Sequence, residues 1–230
     1  MKRFPFELIE LTHVLTKDSP CWEGGCGFAH ETLSDYSDDT TEVTFKVQTL
    51  RMHAGIGTHI DAPAHCIPNG KTIDALQLNE LLAPCVVIDV SPIAHPTFSL
   101  SVNDITRFEN NYGLIAKGTF VIVYTGWDEY WPTAEKYRNN LIFPSVSKEV
   151  AMLLLKRDII GLGIDTLSPD TADSGYPVHQ AMLSAGKYLI ENIANAKAMP
   201  PVGGFTLALP IRIKDITEAP TRFIGLVHHL

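Results

Sequence analysis

The stretch HAGIGTHIDAPAHC, residues 53–66, carries three of the chain's nine histidines, an aspartate and three small turn-formers. Its centre reads His59-x-Asp61-x3-His65. In an extended chain side chains alternate between faces, so His59 and Asp61 share one. Imidazole beside carboxylate suits a hard or borderline divalent ion. Pro63 ends the strand ladder, and the chain can then turn His65 back toward the same place. Gly55 and Gly57 permit tight backbone geometry and close approach of a ligand. A mononuclear site needs three or four protein donors, so others must come from afar. His179 and Glu191 offer themselves, twelve residues apart. On one straight helix that separation is roughly 18 Å of rise, too far to share an ion unless the segment bends, as Gly186 would let it.

The elements that must position these groups follow from pattern. Residues 43–52, VTFKVQTLRM, alternate Val43, Phe45 and Val47 with polar residues and read as a half-buried strand. CVVIDV (85–90), GTFVIVYTG (118–126) and IIGLGID (159–165) are short apolar runs bounded by Gly, Pro or Asp, as central strands are. FTLALPI and TRFIGLV give two more strands near the end. Ser147 can cap a helix through KEVAMLLLKRD, with Glu149 in its first turn. SVNDITRFEN (101–110) is amphipathic. HQAMLSAGKYLIENIAN (179–195) is the longest periodic segment, interrupted by Gly186. Strands alternating with helices predict one α/β domain around a curved, mixed sheet.

Composition bounds the function. The chain has 230 residues, 45% hydrophobic and 19% charged, with a formal net charge of −8. The acidic balance and lack of a Lys/Arg run argue against nucleic acid. No apolar stretch approaches membrane-spanning length, and Glu7 and Glu10 interrupt what would be a signal peptide's apolar region. Four cysteines without zinc-finger spacing, Cys21-x4-Cys26 being the one close pair, predict reduced thiols in a cytoplasmic protein. His13, His30 and His95 stand alone and read as packing or surface residues. His228 and His229 lie near the end of the chain and read as solvated. No G-x-S-x-G, Walker or dinucleotide fingerprint is present. A nucleophile built from His65 and Cys66 is disfavoured, because adjacent side chains of an extended segment point apart.

GTHIDAPAH resembles the signature H-x-G-T-H-x-D-x-P-x-H of the metal-dependent cyclase-like hydrolases, a family that includes bacterial kynurenine formamidases and isatin hydrolases. LTHVLTKDSPCWEGG, YTGW (124–127), FPSVSKEVAMLLL (143–155), GIDTLSPD (163–170), the His179-to-Glu191 spacing and APTRFIGL (219–226) are similar to family segments in the same order. The resemblance implies a single domain over residues 1–230 with a curved mixed sheet of the swivelling β/β/α, cyclase-like kind. It implies that His59 ligates a first zinc or manganese ion, that Asp61 and Glu191 bridge, and that His179 ligates a second. It makes His65 the general acid/base, a role that imidazole suits near neutral pH. Trp22 falls near the family's substrate-packing tryptophan. Trp22, Phe28, Trp127 and Trp131 are candidates for a flat aromatic pocket. The resemblance also implies a homodimer or larger homo-oligomer acting on a small molecule.

One position departs. The family pattern has a metal-binding histidine four residues before His59, where this chain has Gly55. His53 could reach in if the backbone bulges. A water or substrate atom could take the place instead, or the site could hold a single metal. The expected chemistry is hydrolysis of an amide, formamide or lactam by a metal-activated water, with His65 passing the proton to the leaving nitrogen. The alternative is a non-catalytic or weakly catalytic small-molecule binding protein that keeps the fold.

Overall fold

The computed structural model describes residues 4–24, 27–38 and 41–229. Cys26 therefore lies outside the described residues, and with it the Cys21–Cys26 pair. In chain order the elements are β1 (Phe6–Glu10), β2 (Phe28–Ser34), β3 (Val47–Met52), β4 (His59–Asp61), α1 (Leu78–Leu81), β5 (Leu82–Asp89), β6 (Ser99–Leu100), α2 (Val102–Tyr112), β7 (Phe120–Tyr124), α3 (Ala134–Arg138), β8 (Ser145–Val146), α4 (Lys148–Lys156), β9 (Gly161–Ile164), α5 (Pro177–Ser184), β10 (Tyr188–Glu191), β11 (Gly204–Pro210) and β12 (Glu218–His228).

The main sheet runs β1-β12-β11-β5-β7-β9-β10-β4, and β4 pairs back onto β12, closing seven of its strands into a barrel. β5, β7, β9 and β10 run parallel; β4, β11 and β12 join antiparallel. The three-residue β4 closes the ring, so the HID triplet is held on both edges. Alternation sorts the side chains. Ile60, Val87, Phe120, Ile122, Tyr188, Ile190 and Phe223 fill the interior. Val86, Ile88, Val121, Val123, Leu162, Ile164 and Leu189 pack outward with residues of α2, α4 and α5. The strands between are buried on both sides, which is why they read as unbroken apolar runs. Gly161 and Gly163 of β9 leave room for the Phe120 ring: a Cβ on either would sit 2.9 and 3.0 Å from it.

The Ser147 cap follows expectation: its hydroxyl accepts from Val150 N at α4. At α2 the Asp104 carboxylate accepts from both the backbone N–H and the hydroxyl of Ser101. Among the described residues no helix is long and apolar enough to cross a membrane.

Two expectations need correction. The predicted strand at 43–52 forms only over β3, and it is not half-buried. It pairs with β2 in a hairpin separate from the main sheet, and Val43, Phe45, Val47 and Leu50 are all exposed. The alternation was real, but no face of the barrel covers it. The periodic segment 179–195 is not one helix. α5 ends at Ser184, Gly186 takes φ +72° in the turn, and the chain returns as β10. Leu183 O and Met182 O accept from Gly186 N and Lys187 N across that turn, a glycine-closed helix end.

Candidate metal centre

The bend at Gly186 resolves the twelve-residue separation. Glu191 lies on β10, directly opposite His59 of β4. Cross-strand partners share a face, so His59, Asp61 and Glu191 all point outward from the barrel. α5 lies over that face and brings His179. Asp61 Oδ1 is 3.6 Å and Glu191 Oε2 3.3 Å from His59 Nε2. Asp61 Oδ2 is 3.7 Å and Glu191 Oε1 3.3 Å from His179 Nε2. Each carboxylate thus turns one oxygen to each imidazole.

The backbone around the cluster aims these rings. Gly57, at φ +64°, turns the chain into β4, and a Cβ there would come 2.3 Å from the Leu15 side chain. Its carbonyl accepts from His59 Nδ1 at 2.8 Å and from Asn192 Nδ2 at 2.8 Å. Asn192 Oδ1 in turn accepts from the Tyr137 hydroxyl. Asp170 does two things at once. Its carboxylate accepts from the backbone N–H groups of Val178 and His179 at the start of α5, and its Oδ2 lies 2.8 Å from His179 Nδ1. Both histidines therefore carry the proton on Nδ1 and turn Nε2 inward. An outer carboxylate or carbonyl fixes metal-ligating imidazoles in the same way.

The electrostatics are those of a site waiting for positive charge. Asp61 is 1% exposed, yet among the described residues neither of its oxygens, nor Glu191 Oε1, has a hydrogen-bond partner. Buried carboxylate oxygens left so are costly. Burial and the charge of Glu191 push Asp61 up. Burial acts on Glu191 too, but the imidazoles of His179 and His59, each 3.3 Å from one of its oxygens, override it and hold that carboxyl below its usual range. Burial opposes charging of the histidines. The charge of Asp61 and the contact with Glu191 prevail at His59 and raise it to about 10. The hydrogen bond to Asp170 and the close Glu191 carboxylate raise His179 to about 11. Two imidazole nitrogens and two carboxylates around orphaned oxygens fit a divalent cation of the zinc or manganese type.

The cluster opens into a cavity of about 670 Å³ lined by Trp22, His53, His65, Cys66, Tyr176 and Glu218 among others. His65, in the turn Pro63–His65 after β4, lies on its wall with Nδ1 3.3 Å from Glu218 Oε2. Trp22 lines the same cavity, its ring centroid 6.2 Å from that of Tyr176. The structure thus gathers His59, Asp61, His179, Glu191, His65 and Trp22 at one cavity. His53 is not brought to the cluster. It follows the end of β3, its backbone N–H donates to Gly27 O, and its ring turns to Glu23 at 3.8 Å. Of the other aromatics, Trp127 is buried with its Nε1–H on Tyr137 O, and Trp131 stacks on His13 at 4.0 Å. Neither lines this cavity, and nor does Phe28. Burial pushes the Cys66 thiol up, which further weakens a cysteine nucleophile.

Three residues of the site went unforeseen. Asp170 was visible in GIDTLSPD, but its partnership with His179 depends on the start of α5. Asn192 is next to Glu191 and had no signal of its own. Glu218 is the largest omission. β12 pairs Glu218 with Asp61 across the closing seam of the barrel, so both face outward. Its Oε2 sits 2.7 Å from where a Cβ on Gly55 would be. Asp61, His65 and Glu218 form a second group of donors within 4.8 Å of one another.

Comparison with known proteins agrees with this fold. The family model described as "Putative cyclase" matches residues 9–171, and the chain belongs to that cyclase family. It is 26% identical to a kynurenine formamidase of Bacillus cytotoxicus, over 95% of this chain and 96% of that protein. The structure of isatin hydrolase A from Labrenzia aggregata superposes with a TM-score of 0.89 at 29% identity, covering 98% of this chain and 95% of the other. A structure described as a potential metal-dependent hydrolase with cyclase activity shares the fold, with a TM-score of 0.77 at 24% identity, covering 98% of this chain and all of that one (100%).

Proposed function

We propose that the chain is a metal-dependent hydrolase of the arylformamidase type, opening the C–N bond of a small amide, formamide or lactam. One observation carries this reading: Asp61 and Glu191, buried, each with one oxygen toward His59 and one toward His179, at the floor of an open cavity. Zinc or manganese held by these four residues supplies, when bound, Lewis acidity and a water acidic enough to lose its proton near neutral pH. The Gly57 carbonyl and Asp170 keep the Nε2 lone pairs aimed at the floor. His65 takes the proton from the attacking water and returns it to the leaving nitrogen. Trp22 and Tyr176, their rings tilted by 52°, offer aromatic faces to an aryl group. The names of the formamidase and isatin hydrolase relatives support an acyl carbon bonded to an aryl nitrogen.

The reading extends to the whole protein. A homodimer or larger homo-oligomer would cover the exposed apolar residues of the β2/β3 hairpin. Sparse, scattered cysteines support a reducing, cytoplasmic location.

The test is His65→Ala. Turnover of N-formyl arylamines and aryl lactams should fall by at least about 100-fold, while bound metal per chain stays as in the wild type. Full activity in that variant would sink the reading.

A further inference from the structure

We infer that Glu218 is a cation ligand, delivered by β12 into the space that Gly55 leaves open beside Asp61. This rests on the metal-dependent reading and deepens it.

Three observations meet at one point. First, register: Glu218 is the cross-strand partner of Asp61, on the same outward face. Second, space: the carboxylate fills the room in front of Gly55, with Oε2 2.7 Å and Cδ 3.1 Å from an ideal Cβ there. Gly55 is not among the positive-φ residues, so its backbone would accept an ordinary side chain. What the position cannot take is a side chain and the Glu218 carboxylate together, unless the latter swings away. Third, charge: Asp61, 1% exposed, has both oxygens unpartnered and lies in each of the two donor groups, one with His59 and Glu191, the other with His65 and Glu218. Metal held by His59, Asp61, His179 and Glu191 leaves a second carboxylate pair, Asp61 and Glu218, facing each other near the cavity. A second divalent ion between them answers both charges. His65, 3.3 Å from Glu218, is then left with its Nε2 for proton transfer.

Glu218 could instead serve only to position His65. Cobalt(II) binding separates the two roles. Metal-free wild type, Glu218→Ala, Glu218→Gln and Gly55→His/Glu218→Ala are titrated with cobalt. Visible absorption and elemental analysis are the readouts, with thermal unfolding of each metal-free protein alongside. The wild type should take up about two ions per chain. Glu218→Ala and the isosteric Glu218→Gln should lose the second ion or bind it at least about 10-fold more weakly. The double variant, with an imidazole in the vacated space, should recover it with an altered absorption spectrum. If both single variants bind cobalt within two-fold of wild type, Glu218 is no ligand and the inference is overturned, while the metal-dependent reading stands. If the wild type itself takes up none, both fall.

Discussion

Asp170 shows how a single side chain can serve fold and chemistry together. It caps α5 through two backbone N–H groups and holds the Nδ1 proton of His179. Asp170→Ala should therefore weaken metal binding by about 10- to 100-fold and cost about 1 kcal/mol of stability through the lost cap. Isothermal titration and thermal unfolding would each read one effect; unchanged affinity would mean that His179 does not ligate. The protonation of the cluster gives a second test. Without a cation, His59 and His179 are raised to about 10 and 11 and so hold protons at neutral pH. Their raised values contribute stability to the metal-free fold that is present below the ordinary histidine range and is lost as pH rises through about 10 to 11. A cation must expel those protons, so apparent affinity rises with pH. Titrations at pH 7.5 in buffers of differing ionisation enthalpy should report net release of about one to two protons per chain; none released would contradict the assignment. At this scale His59 and Asp61 were legible from spacing alone, because a strand's alternation is local, and His65 from the proline that ends the strand and turns the chain back. Glu218 was not. Its place beside Asp61 depends on β12 and β4 meeting at the barrel's seam, which no local pattern encodes.

At the scale of elements, Gly186 separates helix from strand. Its φ of +72°, with nothing among the described residues within 4 Å of a would-be Cβ, means that substitution meets strain rather than a clash. Gly186→Ala should lower stability by about 1 kcal/mol in denaturant unfolding, while metal affinity is kept if α5 and β10 retain their register. A loss of affinity matching the loss of stability would show the turn to be part of the site. The central strands were readable because burial on both sides makes them continuous apolar runs. The stretch from His179 to Asn195 misled, since apolar residues in a short buried strand after α5 continue the helical period by chance. The glycine was the one local sign of the break. The β2/β3 hairpin misled in the other direction: its alternation predicts a buried face that this chain does not provide.

At the scale of the whole molecule, the closed barrel explains why donors so far apart in sequence converge. β4 is three residues long and paired on both edges, so His59 and Asp61 have little freedom. β10 and β12 flank it and bring Glu191 and Glu218 from either side. α5 closes over the top with His179. The exposed Leu33, Val47 and Leu50 of the hairpin give the proposed oligomer its test: light scattering should report a mass at least twice the 25.3 kDa chain, and a monomer at micromolar concentration would contradict it.

The central claim is that the buried Asp61–Glu191 pair exists to hold divalent cations. Metal content per chain tests it most directly, measured by elemental analysis on protein purified without chelators, before and after dialysis against zinc or manganese. The account predicts about two ions per chain, both lost in Asp61→Ala, whose carboxylate lies in both donor groups. A wild-type chain that stays metal-free after reconstitution would contradict it.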